Sequence, residues 1–162
     1  MKTGLGFRRI DHASWTVAEF DPVIDFYCKV FGAEVLYRMG PIDVADIPRD
    51  EQGRDWSTSH LDVENACFSL AMLAFADGFK LELFHYERPA SERDIPLPSN
   101  HVGSHHLGVQ VDDLEQAAAF LIQHGCRVFD KIEMEEGPTV GSRFRYLKDP
   151  WQNILELCET DA

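Results

Sequence analysis

Two stretches of the chain, 10–17 and 104–111, share one pattern of apolar and polar positions. In each stretch a histidine, His12 or His106, stands five positions before a closing valine. Successive side chains of a strand point to opposite faces, so each stretch has an apolar face and a face of small and polar residues around the histidine. The pattern predicts two equivalent β-strands, each with a histidine on its polar face.

A helix with recognisable ends is predicted after each of these strands. In the first half Asp21 fits the N-cap, Pro22 fits the first helical position and Gly32 ends the helix. In the second half Asp113 fits the cap and Gly125 the end. Apolar residues recur at the spacing of one buried face, and they are Val23, Phe26, Tyr27 and Val30 in the first helix and Leu114, Ala117, Ala118 and Leu121 in the second.

Three more strands are predicted in each half. They are 34–38, 66–73 and a last strand containing Leu81-Glu82-Leu83 in the first half, and 127–130, 142–147 and a last strand containing Leu155-Glu156-Leu157 in the second. Neither half can cover both faces of its own sheet. We therefore predict an α+β fold for one domain, 1–162, in which two βαβββ modules (about 7–88 and about 104–160) pair into a curved eight-stranded sheet. The proline-containing segment 89–103 links them.

The first half carries an insertion. His12 and His106 are 94 positions apart, whereas Glu82 and Glu156 are 74 apart, so the first half is about 20 residues longer. The surplus falls in 40–60, which is rich in Pro, Gly, Asp and Arg and has little periodicity. We predict that this segment is a surface loop at the mouth of a cleft and more mobile than the strands.

One histidine and one glutamate recur in each half. A single His or Glu in a strand is more often structural than a ligand, but the joint recurrence predicts a metal cleft built from His12, Glu82, His106 and Glu156. Two imidazoles and two carboxylates suit one divalent ion of Zn, Ni, Co, Mn or Fe(II). His105 competes with His106, but alternation points it away. The other histidines, which have no partner in the repeat, are assigned to surface or loop positions: His60, His85, His101 and His124.

Side chains on the same faces are candidates for contact with substrate. They are Ser14 beside His12, Phe84 and Tyr86 beside Glu82, and Gln110 beside His106. Simple packing is the alternative role for each of them. Arg143 and Arg145 are candidates either for binding a substrate anion or for a solvated surface.

Composition narrows the class of protein. The 15 Lys and Arg against 28 Asp and Glu give a formal charge of −13, which argues against nucleic acid as a partner. No apolar run approaches the roughly 20 residues that cross a bilayer, and the N-terminus has no apolar signal region. The four cysteines are scattered and form no CxxC pair. We therefore expect a cytoplasmic protein that does not act at a membrane.

At these residues the chain resembles the vicinal oxygen chelate superfamily, which includes glyoxalase I, methylmalonyl-CoA epimerase, extradiol dioxygenases and bleomycin resistance proteins. The resemblance covers nearly the whole chain, and the order and spacing of its short motifs make it specific. The motifs are Ile10-Asp11-His12, Phe26-Tyr27 with Phe31-Gly32, Leu81-Glu82-Leu83, His105-His106-Leu107 with Val111-Asp112-Asp113, and Asp149-Pro150 leading to Glu156-Leu157.

The resemblance implies that His12, Glu82, His106 and Glu156 hold the metal. A complete set of this kind is most similar to bacterial glyoxalase I and its epimerase relatives. The usual glyoxalase I residues are absent from 84–89, and the paired His105-His106 is similar to the epimerases.

The function implied is proton transfer next to a carbonyl of a small molecule, as in glyoxalase-type lyases, isomerases and epimerases, with Glu82 and Glu156 as the catalytic carboxylates. One alternative is an Fe(II) extradiol dioxygenase. The other is a non-catalytic protein that sequesters a ligand. A homodimer is left open.

Overall fold

A computed structural model describes residues 6–159, which form two compact units with their boundary between Glu92 and Arg93. Each unit contains one mixed β-sheet and one long helix, so the α+β class is confirmed. The described residues form nine strands instead of the predicted eight, because the second unit has an extra short strand. None of the helices in residues 6–159 is long and apolar enough to cross a membrane.

The first unit contains four strands and two α-helices. Its elements are β1 (Ala13–Thr16), α1 (Phe20–Phe31), β2 (Glu34–Asp43), a 3-10 turn (Val44–Asp46), α2 (Trp56–Leu61), β3 (Cys67–Ala74) and β4 (Lys80–Arg88). The strand order in the sheet is β1-β4-β3-β2, with β1 parallel to β4 and the other pairs antiparallel. The first and last strands of the unit are therefore neighbours.

The second unit repeats this arrangement with one addition. Its elements are β5 (Leu107–Gln110), α3 (Leu114–Gln123), β6 (Arg127–Val128), β7 (Ile132–Glu133), β8 (Arg143–Lys148) and β9 (Ile154–Glu159). The strand order is β5-β9-β8-β6, with β5 parallel to β9. The short strand β7, which periodicity did not predict, also pairs with β8.

The helix α1 covers one face of the first sheet. Its buried side chains include the predicted Val23, Phe26 and Tyr27, and the Tyr27 ring meets the Trp15 ring of β1 edge-on at 5.8 Å. Gly32 ends the helix with φ +67°, as predicted. The predicted start is wrong: the helix begins at Phe20, one residue before the expected cap.

The residue at that expected cap is Asp21, and it has another role. It lies in the first turn of α1, where it pairs with Arg38 of β2. The capping position is taken by Glu19, whose side chain makes no capping hydrogen bond. The prediction failed because a carboxylate in the first turn is also stabilised by the helix dipole, so its presence there does not identify the cap.

The ends of the helix α3 agree with the prediction. The Asp113 carboxylate accepts a hydrogen bond from the Gln116 amide at 2.9 Å, and Gly125 adopts φ +86° just after the last turn. Leu114, Ala118 and Leu121 are buried in the second unit. Both long helices therefore use the apolar stripes that the sequence indicated.

The first strand of each unit is shorter than predicted. The ladder between β1 and β4 starts at Ala13, which pairs with Leu81. The ladder between β5 and β9 likewise starts at Leu107. His12 and His106 therefore lie immediately before their strands instead of within them.

The prediction for 40–60 is wrong in its secondary structure. Residues 40–43 extend β2, and the 3-10 turn and most of α2 follow. Val44 and Ser57 are 1% and 0% exposed, so the segment contributes to the packed interior. The buried Asp55 carboxylate caps α2 through the Thr58 amide at 2.8 Å. Polar bonds of this kind order the segment without leaving a periodic pattern in the sequence.

A second set of bonds ties α2 to β3. The Asp55 carboxylate also accepts from the Asn65 amide at 3.1 Å, and the Ser57 hydroxyl accepts from the Ala66 amide at 3.2 Å. The hydrogen bond from the Thr58 amide, followed by that from the Asn65 amide, holds the Asp55 pKa below its usual range. The helix is therefore fixed to the sheet at its first turn.

Candidate metal-binding site

The same strand register brings a histidine to a glutamate in both units. In the β1–β4 pair Ser14 lies opposite Glu82, and in the β5–β9 pair Gly108 lies opposite Glu156. His12 lies two positions before Ser14, and His106 lies two positions before Gly108. Because side chains alternate between the faces of a strand, each histidine is on the same sheet face as the glutamate of its unit. The repeat found in the sequence is therefore also a repeat in strand pairing.

The distances within the two pairs suit metal ligands. Nε2 of His12 lies 3.5 Å from Oε2 of Glu82, and Nε2 of His106 lies 3.2 Å from Oε2 of Glu156. Ligand bonds of 2.0–2.2 Å place neighbouring N and O ligands of one ion about 3.0–3.4 Å apart. The donor types and spacing of each pair therefore fit a divalent ion.

The structure brings the four predicted ligands together as two pairs, one in each unit. Within residues 6–159 no group of three or more His, Cys, Asp or Glu side chains forms a metal-binding cluster. Two ligands are fewer than the three or four that protein metal sites use. The shared four-residue site thus stays a prediction.

The first pair is held by a further carboxylate. Asp11 Oδ2 lies 3.1 Å from Nδ1 of His12 and 2.7 Å from the ammonium of Lys80. The hydrogen bond from Lys80, followed by that from His12, lowers the Asp11 pKa to about 2. An ionised carboxylate on the second nitrogen orients an imidazole and leaves the other nitrogen for a ligand.

The second pair is held by a tyrosine that the sequence analysis missed. Tyr146 lies opposite Glu156 in the β8–β9 ladder, its phenol hydrogen-bonds to the carboxylate, and its ring meets His106 edge-on at 5.4 Å. Burial and then the charge of Glu156 raise the Tyr146 pKa, so the phenol keeps its proton. Alternation within 142–147 puts Tyr146 on the face opposite Arg143 and Arg145, which is the signal that could have found it.

Aromatic side chains border Glu82 on its face of the first sheet. Phe84 and Tyr86 follow it at alternate positions of β4, and their rings lie 5.8 Å apart. Both rings also pack on the buried Phe68 of β3, with centroids 5.8 and 5.6 Å away. Burial and then the charge of Glu82 raise the Tyr86 pKa. Three predicted contact residues, including the exposed Ser14, therefore share the face of Glu82.

The fourth predicted contact residue lies in the second unit. Gln110 is exposed at the end of β5 and lies opposite Cys158 of β9. Cys158 follows Glu156 at the alternate position, and burial followed by the charge of Glu156 raises the pKa of its thiol. Gln110 thus shares a sheet face with Glu156.

Other residues considered in the sequence have different roles. The Arg145 guanidinium binds the Glu115 carboxylate at 2.8 and 3.0 Å, and Arg143 pairs with Glu159 at 3.0 Å. Arg145 therefore joins β8 to α3, a role different from both the substrate-anion site and the solvated surface considered for it from the sequence. His85 is also not simply on the surface: its Nδ1 lies 3.1 Å from the Val17 carbonyl oxygen and its ring stacks on Phe20.

A cavity of about 560 Å³ lies on the other face of the first sheet. Phe20, Arg38, Ser69 and His85 are among the residues that line it. Alternation along β4 puts His85 on the face that α1 covers, away from Glu82. This cavity is therefore separate from the His12–Glu82 pair.

The family model described as "Glyoxalase/Bleomycin resistance protein/Dioxygenase superfamily" matches residues 9–157, which include both pairs. The chain belongs to this superfamily. A curated relative, the 2-epi-5-epi-valiolone epimerase of an Actinomyces species, is 36% identical over 156 residues, covering 94% of this chain and 80% of the relative.

Solved structures of the superfamily share the fold. A glyoxalase family protein from Bacillus cereus matches with a TM-score of 0.72 and 21% identity, covering 94% of both chains. Glyoxalase I from Leishmania major matches with a TM-score of 0.59 and 17% identity, covering 94% of this chain and 87% of that one. The fosfomycin resistance protein FosX from Listeria monocytogenes was solved with Mn(II) and sulfate. It matches with a TM-score of 0.57 and 14% identity, covering 96% of this chain and 94% of that one.

Proposed function

We propose that this chain is a metal-dependent epimerase or isomerase that transfers a proton next to a carbonyl of a small substrate. The observation that carries the proposal is the repeated pair, in which Nε2 of a histidine and Oε2 of a glutamate lie 3.5 and 3.2 Å apart. We propose that His12, Glu82, His106 and Glu156 together hold one divalent ion. The similarity to an epimerase supports this choice over lyase chemistry.

A divalent ion bound by these residues would act as a Lewis acid toward the carbonyl oxygen of the substrate. The residues of the chain supply the other requirements. One of Glu82 and Glu156 takes the proton from the carbon beside the carbonyl, the electron pair stays on the substrate, and the other glutamate delivers a proton to the opposite face of that carbon. Asp11 orients His12, and Phe84 with Tyr86 provides an apolar surface beside Glu82 that restricts water there.

The substrate class that we propose follows from the relative. It acts, by its name, on 2-epi-5-epi-valiolone, and 94% of this chain aligns with it at 36% identity. We therefore propose that this chain acts on the same compound or on a closely related small molecule. Ser14, Phe84, Tyr86 and Gln110 are the residues that we expect to contact it.

The experiment that tests the function begins with metal content. Protein purified without chelator or affinity tag should hold about one divalent ion per chain. His106→Ala should lose most of the ion, whereas His105→Ala should keep it, because strand alternation points the exposed His105 away from the site. Full occupancy in His106→Ala would refute the assignment.

The second half of the experiment measures chemistry. The loaded protein is given 2-epi-5-epi-valiolone, 2-oxoaldehyde thiol adducts and acyl thioesters in deuterated water. We expect epimerisation with deuterium incorporation at the carbon beside the carbonyl. Oxygen uptake with catechols, without exchange on any carbonyl compound, would establish a dioxygenase, and tight binding without turnover would establish a ligand-sequestering protein.

We also propose a homodimer in the cytoplasm. The strand β2 is the end strand of its sheet and exposes four large apolar side chains, which a partner surface would cover. They are Val35, Leu36, Tyr37 and Met39. Light scattering of purified protein measures the mass directly, and a mass near 18.4 kDa would refute the dimer.

A further inference from the structure

The cavity on the α1 face of the first sheet has a floor of two polar side chains. Ser69 of β3 lies opposite His85 of β4 in the ladder, so both side chains point to this face, with Cβ atoms about 5 Å apart. The volume of about 560 Å³ is typical of pockets that bind small molecules. The His12–Glu82 pair is on the opposite face of this sheet, because Glu82 and His85 are three positions apart on one strand.

The Ser69 hydroxyl is a buried polar group that opens to this cavity. Ser69 is 9% exposed, and its hydroxyl makes no hydrogen bond within residues 6–159. Gly40, which also lines the cavity, has no side chain to cover it, since a Cβ atom there would lie 2.7 Å from Ser69 Oγ. Burial of a hydroxyl costs free energy unless it is hydrogen-bonded, so this group favours a ligand that bonds it from the cavity.

His85 offers a hydrogen-bond acceptor to the same cavity. Its Nδ1 lies 3.1 Å from the Val17 carbonyl oxygen. A carbonyl oxygen only accepts, so Nδ1 carries the proton, and Nε2 of the neutral ring keeps a lone pair. The ring stacks on Phe20 with centroids 6.1 Å apart, which holds it in this orientation. A ligand that donates hydrogen bonds therefore matches His85.

The charges around the cavity are mostly negative. Its lining includes the carboxylates of Glu19, Asp21 and Glu87. The Arg38 guanidinium, which also lines it, pairs with Asp21 and lies 5.1 Å from the centroid of the Phe20 ring. The partial positive charge at the start of α1, about half a unit, is met by Asp21 in the first turn. The lining therefore disfavours an anion and favours a positively charged ligand.

An organic cation fits this lining better than a bare metal ion. Among residues 6–159 no three His, Cys, Asp or Glu side chains converge as metal ligands, and Pro22 and Pro41 add apolar atoms to the rim of the cavity. We propose that this cavity binds a small organic ammonium compound with hydroxyl groups, whose N–H and O–H groups donate to His85, Ser69 and the carboxylates. This site is independent of the proposed metal chemistry.

Three compounds on the same ring test the charge of the ligand. They are trans-4-aminocyclohexanol, trans-cyclohexane-1,4-diol and trans-4-hydroxycyclohexanecarboxylate, which differ in one group only. Two-dimensional amide NMR titration of the whole protein should give the ammonium compound a Kd on the order of 1 mM, as its size allows. The diol should bind about fivefold more weakly or worse, because it lacks the charge-assisted hydrogen bonds. Equal affinity for the ammonium compound and the carboxylate would refute the proposal.

Two substitutions test the location of the site. Ser69→Ala removes only the hydroxyl and should raise the Kd of the ammonium compound roughly 3- to 10-fold, the scale of one hydrogen bond. Glu87→Gln removes one charge from an exposed side chain and should raise it roughly threefold or more. Glu136→Gln is the matched control, since it makes the same change in net charge at an exposed position of the second unit, and it should bind normally. An unchanged Kd in both Ser69→Ala and Glu87→Gln would show that the compound does not bind in this cavity.

Removal of divalent ions separates this site from the face that carries His12 and Glu82. Titration in the presence of a chelator should give the same Kd for the ammonium compound, because none of the groups proposed to bind it belongs to a metal-ligand pair. A Kd that rises when the metal is removed would place the compound at the metal and overturn the proposal. A protein that binds the ammonium compound but holds no metal would refute the proposed function and leave this site intact.

Discussion

The exposed residue Asp11 orients the candidate metal ligand His12. It receives hydrogen bonds from Lys80 and His12, and its pKa falls to about 2, so it stays ionised through the whole range in which proteins are assayed. The folded-state pKa is depressed, so the interaction is fully present above the ordinary value of 3.8 and is lost only as the pH falls through about 2. Acidification to pH 5 therefore leaves this support intact.

Replacing Asp11 with Asn should weaken metal binding roughly 10- to 100-fold, as loss of the carboxylate behind a histidine ligand does. The melting temperature of the metal-free protein should hardly change, because Asp11 is more than half exposed. Calorimetric titration with a divalent ion provides the measurement. Arg9→Ala is the control, because Arg9 reaches Asp11 only at 3.9 Å and is itself exposed. Equal affinity of Asp11→Asn and wild type would show that the carboxylate does not support His12.

The sequence indicated the two pairs but not their supports. His12 with Glu82 and His106 with Glu156 could be recognised because the same residue types recur in both halves. Tyr146 has no tyrosine at the equivalent position, since Met72 stands there, and repetition therefore gave no signal. Its role depends on which residue lies opposite Glu156, and antiparallel register was not part of the prediction.

At the scale of elements, the segment 40–60 differs from the rest because polar groups, not an apolar face, order it. Periodicity found α1, α3 and the long strands, because each buries an apolar face. The helix α2 has only six residues, and its start is defined by the buried Asp55 carboxylate. Hydrogen bonds of an aspartate leave no period in the sequence, so 40–60 was predicted as a loop.

This order changes the expected effect of shortening the segment. A surface loop could be cut with effects on substrate binding alone. Because Val44 and Ser57 are buried, removal of 44–61 should instead expose the interior and lower stability.

The end of β2 approaches β3 closely at Gly40. A Cβ atom at this position, where φ is +111°, would lie 2.7 Å from Cα of Ser69 and 2.8 Å from the Phe68 carbonyl oxygen. Gly53 also has a positive φ, +77°, but no atom lies within 4 Å of its Cβ position. Gly40→Ala should therefore add a steric clash to the backbone strain that both substitutions share.

We expect Gly53→Ala to cost about 1–2 kcal/mol, the penalty of an L residue in the left-handed region. Gly40→Ala should melt at least several degrees below Gly53→Ala in thermal unfolding followed by circular dichroism. Metal content of the folded fraction should not change in either variant. If the two variants melt together, β2 can move away from β3 at little cost.

For the whole molecule, the central question is whether the two units serve one ion or two. Ligands that bind only the folded state raise its melting temperature, by roughly 5 °C or more at a free concentration 100-fold above Kd for a chain of this size. If one ion needs all four residues, His12→Ala and His106→Ala should each abolish nearly the whole metal-induced shift. Two independent ions would leave about half of the shift in each variant.

The strand register described for the site, Ser14 opposite Glu82 and Gly108 opposite Glu156, has a consequence for chirality. A site built from L-amino acids distinguishes mirror images whether or not its parts repeat. In the two repeated ladders, equivalent positions carry different side chains, Ser14 against Gly108 and Met72 against Tyr146. Such differences present unlike groups to the two stereoisomers that an epimerase interconverts, so exchanging these residues should change the ratio of the Kd values with which the two stereoisomers bind.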